Sequence, residues 1–232
     1  MLKPMKKIAT SALSEALRQS AGAFQNDQSL LHATAVLLKS GEAWAAYETF
    51  ISTPHPSVDK AGHKMKVEQQ AKKLFDTFRT EFEKAKIHLR DRYAEVEKLI
   101  STELGVQLAK DNLLSAVEIR QGIKAMEKND RLARIKTAID RNDLTITGAI
   151  FSAPAFLSGL TDGMASQLYK QAALKNCGEL VQLKNVILQT NELLDSQFSR
   201  IKSGVQDVTG RSVSRLAEKA DQAVENLQKA IA

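Results

Sequence analysis

The chain has 232 residues, with 33 Lys and Arg against 27 Asp and Glu for a net charge of +6. It holds only 4 prolines and 11 glycines, too few for a turn-rich β-sandwich or barrel. Its hydrophobic share of 43% excludes a disordered chain. What remains is an all-α protein of long helices.

In chain order, residues 5–20 are expected to form a short amphipathic helix through Met5, Ile8, Ala12, Ala16 and Leu17. Lys3, Lys6 and Lys7 resemble the start of a signal peptide, but Glu15 and Arg18 interrupt the stretch before an apolar core forms. No run of 18 strongly apolar residues occurs in the sequence. A cytoplasmic protein is therefore expected, or a virion component if a phage encodes it. Asp27 is placed as the N-cap of a second helix, 28–52, with Trp44, Tyr47 and Ile51 on one face. That helix should stop at Pro54 and Pro56, which lack an amide donor. These N-terminal helices, 1–56, form the base of the expected architecture.

From about residue 60 the apolar positions run Ala71, Phe75, Phe78, Phe82, Ala85, Leu89, Val96 and Leu99. This is a heptad with one polar gap at Arg92, and Gly105 weakens it. A second seam runs through Cys177, Leu180, Lys184, Ile187, Asn191, Leu194, Phe198, Ile201, Val205 and Val208. Lys184 and Asn191 fall at its a positions, where a polar residue fixes register. The spacing predicts one helix over 164–208. Two rods of about 45 residues would each measure roughly 65–70 Å. The expected architecture over 57–208 is an elongated antiparallel coiled-coil hairpin, or helical bundle, with a small helical cap at 105–163. Gly210 would close the second rod. Ser212 would cap a last helix within 209–232, through Val213, Leu216, Ala220, Val224, Leu227 and Ile231.

Two segments in the cap stand out. Arg120, Lys124, Lys128, Arg131 and Arg134 are spaced to share one helix face, which could track nucleic-acid phosphates. Glu127 and Asp130 sit four residues before Arg131 and Arg134, as in ordinary intrahelical pairs. No aromatic interleaves the stripe for base stacking. The other segment is 144–161, LTITGAIFSAPAFLSGLT, which has no charge and lies between Asp143 and Asp162. Ser152 before Pro154 reads as a helix start, Gly159 as a stop and Thr161 as the next cap. The segment is either a buried hairpin or an apolar docking surface, with Ile150, Phe151, Phe156, Leu157 and Leu160 as the partner-binding residues. Membrane entry is the third reading, and there the outline resembles bacterial α-helical pore-forming toxins, which carry an apolar tongue between long helices.

The sequence contains no nucleophile elbow, no Walker lysine loop and no Gly-rich dinucleotide motif. No two of His32, His55, His63 and His88 lie at helical metal-site spacing from each other. A single cysteine, Cys177, cannot form a disulfide within the chain. No cofactor, metal or catalytic residue is assigned. The expectation is a non-enzymatic structural or assembly protein whose partner is another copy of itself or another protein. Its texture resembles bacteriophage scaffold and virion components. A nucleic-acid binder using 120–134 and a membrane-active protein using 144–161 are the alternatives.

Overall fold

The computed structural model describes residue 24 and residues 26–53 and 60–209. The expected helix 5–20, the turn at Pro54–Pro56 and the tail after Gly210 lie outside these residues. Among the described residues every regular element is helical: eight α-helices, one 3₁₀ turn and no strand. The chain divides into two compact units, 91–188 and the remainder on either side of it.

The first unit contains α1 (Gln28–Ser52), the first part of α2 (Lys60–Glu103) and the last part of α8 (Gly178–Thr209). Asp27 caps α1 as expected, its carboxylate accepting from the amides of Ser29 and Leu30 at 3.1 and 3.2 Å. On α1 the residues Leu30, Ala33, Leu37, Trp44 and Tyr47 are buried. The Tyr47 hydroxyl crosses to α2 and donates to the Val67 carbonyl at 3.2 Å. Phe198 of α8 stacks on Phe75 at 5.6 Å and meets Phe82 at 5.3 Å. Lys86 Nζ reaches Asp195 at 2.6 Å. Numbers rise on α2 as they fall on α8, so the two helices are antiparallel within this unit.

The heptad expected on α2 matches burial from Ala71 to Val96, with Phe78 half-buried, and fails at Leu99. Val96, Ile100 and Leu104 are buried, whereas Leu99 is 39% exposed. Leu89 to Ile100 spans 11 residues, close to the pitch of an undistorted helix; the 7-residue step across Arg92 still lands on buried Val96, and the drift shows at the next position, Leu99. On α8 the buried line is Leu183, Ile187, Thr190, Leu194, Gln197 and Ile201. Its steps of 4 and 3 are those expected, and Ile187, Leu194, Ile201 and, beyond the line, Val205 are buried as expected, while Leu183, Thr190 and Gln197 are buried in place of Lys184, Asn191 and Phe198. Thr190 and Gln197 take the deeply buried polar positions, and Lys184 and Asn191 are only half-buried beside them. A helix in a bundle buries a wider stripe than a two-stranded seam, so residues flanking a and d also go inside.

The second unit holds the end of α2, then α3 (Val106–Asp111), α4 (Leu113–Ala125), α5 (Lys128–Asp140), α6 (Leu144–Phe151), the 3₁₀ turn Ala155–Ser158, α7 (Asp162–Asn176) and the start of α8. The expected single helix 164–208 is broken at Cys177, whose φ of −132° and ψ of 35° leave the helical region. Asn176, Cys177 and Gly178 are three weak helix formers in succession, and they outweigh the continuous apolar spacing. Gly105 turns the chain after α2 with φ 81°, a left-handed conformation that glycine adopts without steric cost. A β-carbon on Gly105 would overlap the Leu144 carbonyl, and one on Gly148 would overlap the Gly105 carbonyl. The two glycines thus let α6 lie directly against the turn. Thr147 Oγ1 bridges the same contact, donating to the Leu104 carbonyl at 3.0 Å.

Candidate functional site

The charge-free segment and the basic stripe form one structure. Asp143 caps α6 through the amides of Thr145 and Ile146 at 3.2 and 3.1 Å. Ile146, Thr147, Gly148, Ala149 and Ile150 are all buried. Ser152 ends α6 rather than starting the next helix, its amide donating to the Gly148 carbonyl at 3.0 Å. Pro154, with no amide hydrogen to satisfy, instead precedes the 3₁₀ turn. Gly159 stops that turn with φ 69°, and Thr161 caps α7 through the Met164 amide at 3.3 Å. Both roles are those expected of them.

The basic stripe does not run on one helix. The chain leaves helical geometry at Met126 and Glu127, so Arg120 and Lys124 lie on α4, and Lys128, Arg131 and Arg134 on α5. Two of the five arginines and lysines turn toward backbone rather than solvent. Arg120 is 6% exposed, and its Nη1 donates to the Ala149 carbonyl at 2.9 Å and to Ser152 Oγ at 3.4 Å. Arg131 donates from Nε to the Ile123 carbonyl at 3.1 Å, and from Nη2 to the carbonyls of Lys124 and Met126 at 2.9 and 2.8 Å. Its Nη1 donates to the Gly159 carbonyl. The last carbonyls of α4 have no helical partner and carry the negative end of the helix dipole, so a guanidinium satisfies them well. Arg131 therefore ties the end of α4 to the loop that follows the 3₁₀ turn.

This clamp sorts the expected partner-binding residues. Ile150 and Leu160 are buried and belong to the interior, which corrects their assignment to a surface. Phe151 is half-buried, edge-on to Tyr169 at 5.3 Å. Phe156 is 64% exposed and Leu157 39%. Met126 joins them on the same clamp at 37%. Leu113 and Leu114, at the other end of α4, are 61% and 82% exposed. Sequence reasoning passed over these three, although a leucine pair directly after Asn112 was a readable signal.

Lys184 has a local role at the end of α2. Its ammonium pairs with Glu97 and lies 5.2 Å from the centre of the Tyr93 ring. Burial lowers its pKa, but the bonds to Glu97 and Tyr93 and their charges outweigh that, leaving it above the usual lysine value. Cys177 is buried, and burial together with the Glu103 carboxylate pushes its thiol up. The rings of His32 and His88 lie 5.3 Å apart, a pairing between helices that spacing along one helix could not reveal. Among the described residues no three His, Cys, Asp or Glu side chains are grouped to hold a metal. No described helix is long and apolar enough to cross a membrane. No family model, curated protein or solved structure matches this chain.

Proposed function

We propose that the protein is a non-enzymatic assembly protein that associates with copies of itself, with the loop Ser152–Gly159 as its docking element. The exposure of Phe156 on a loop fixed by two arginines carries this reading. A large ring held in water is unfavourable unless it is covered by something. A loop already ordered by Arg120 and Arg131 gives up little conformational entropy on docking. In the same reading the long helices close as an antiparallel coiled-coil hairpin, and the protein is a scaffold or virion-type component. The antiparallel pairing of Phe75 with Phe198 and of Lys86 with Asp195 supports the hairpin.

Sedimentation equilibrium tests the proposal. The wild-type chain of 25.5 kDa should show a mass that rises with concentration toward a multiple of that value. The double variant Phe156→Asp, Leu157→Asp should remain monomeric with an unchanged circular dichroism spectrum. A wild-type monomer at all concentrations, or a variant that associates as well as wild type, would overturn it.

A further inference from the structure

Three helices of the second unit meet through alanines. Ala109 of α3, Ala116 of α4 and Ala149 of α6 form one buried cluster, with Ile119 half-buried against it. Methyl groups at all three positions leave the junction short of filling atoms, and a pocket of about 150 Å³ opens beside it. Its floor is Ala109, Ala116 and Ile119, and its rim is Leu108, Asn112, Ser115 and Thr145. No charged side chain lines it. A cavity of roughly this size is large enough to hold one benzene ring.

We infer that this pocket is the socket for Phe156 of another copy, so that copies join head to tail. The inference rests on the loop Ser152–Gly159 being the docking element and names what receives it. Three observations select this occupant. First, Phe156 is the most exposed Phe, Tyr or Trp among the described residues, at 64%. Its single ring matches the size of the pocket. Second, neither side brings a charge. Ser152–Gly159 has none, and neither does the pocket lining, so docking strands no ion in a dry contact. The rim hydroxyls of Ser115 and Thr145 suit the Phe156 amide, which has no partner inside the turn it helps to start. Third, a copy does not fill its own socket. Arg131 holds the loop at the last turn of α4, through the carbonyls of Ile123, Lys124 and Met126. The pocket lies toward the other end of that helix, and the axis rises roughly 12 Å from Ala116 to Lys124. A knob and a socket at opposite ends of one helix make a heterologous contact. Each added copy then presents a fresh knob and a fresh socket, and growth continues as a chain or closes as a ring.

Sedimentation equilibrium of single and mixed variants tests the pairing. Phe156→Asp removes the knob, and Ser115→Arg sets a long charged side chain across the mouth of the socket. Each variant alone should associate about tenfold or more weakly than wild type. Mixed, they retain one sound socket and one sound knob, so the mixture should stop at a heterodimer of twice 25.5 kDa. Leu114→Arg, on the same helix but outside the pocket lining, should associate as wild type does. If Ser115→Arg associates as wild type while Phe156→Asp does not, the loop docks on another surface: the inference falls and the docking loop stands. A mixture that stays monomeric while wild type associates overturns the inference in the same way. A wild type that is monomeric at all concentrations overturns both. Disulfide trapping reads the contact without the arginine variant and leaves Phe156 in place. In a Cys177→Ala background, a Ser115→Cys chain mixed with a Leu157→Cys chain should form a disulfide-linked heterodimer. Homodimers of the Leu157→Cys chain in its place would contradict the inference.

Discussion

Arg131 and Gly159 are joined across 28 residues of sequence, Nη1 of the guanidinium donating to the glycine carbonyl. The same guanidinium closes the last turn of α4. Lysine keeps the charge but not the planar fork that serves several carbonyls at once. Arg131→Lys is therefore expected to cost about 2 kcal/mol, the scale of one or two charge-assisted hydrogen bonds. Urea denaturation measures this, and a loss below about 0.5 kcal/mol would show that the clamp is idle.

Glycine substitutions separate contact from conformation. Gly148→Ala pushes a methyl into the Gly105 carbonyl, so it should destabilise by about 2–3 kcal/mol. Gly122 lies inside α4 with nothing within 4 Å of an added β-carbon. Gly122→Ala should stabilise by about 0.5–1 kcal/mol, because alanine holds a helix better. Paired melting curves read both. The same sign for the two variants would contradict the packing described.

Tyr47 predicts an alkaline dependence. Burial first, and then the Glu68 charge, push its phenol up to about 12 from 10.0. The folded state thus favours the protonated form. Its contribution is complete below pH 10 and is lost as pH rises from 10 toward 12. Tyr47→Phe removes the bond to Val67 and should cost about 1 kcal/mol at pH 8. The gap between the two proteins should then narrow or reverse above pH 11. A gap that stays constant from pH 8 to 12 would contradict this.

Cys177 should be chemically quiet. Burial and Glu103 disfavour the thiolate, which is the reactive form. Labelling by a disulfide reagent at pH 8 is expected to track unfolding in urea. Complete labelling of the folded protein within seconds would show an open site.

The helical class, the Asp27 and Thr161 caps and the Gly159 stop were legible because each depends on one residue and its immediate neighbours. The seams were legible in spacing and at positions such as Leu89, Val96, Ile187, Leu194 and Ile201, but not at Leu99, Lys184 or Asn191. Burial on α8 depends on side chains far away in sequence, such as Phe75 and Phe82 against Phe198, and no one-dimensional repeat encodes that. The break at Cys177 was hidden because the apolar positions continue across it, although Asn176 and Gly178 signalled it. The docking loop and the basic stripe were each visible as unusual segments. Their union was not, because the bonds from Arg120 to Ala149 and from Arg131 to Gly159 join residues far apart in sequence.

The central claim is that the arginine-held loop is the surface through which copies associate. Hydrogen exchange of residues 153–159, followed across a concentration series, tests it most directly. Exchange there should slow as the sedimenting mass rises, while exposed amides elsewhere on α5 stay unchanged. Association with no added protection at 153–159 would place the contact elsewhere and contradict the claim.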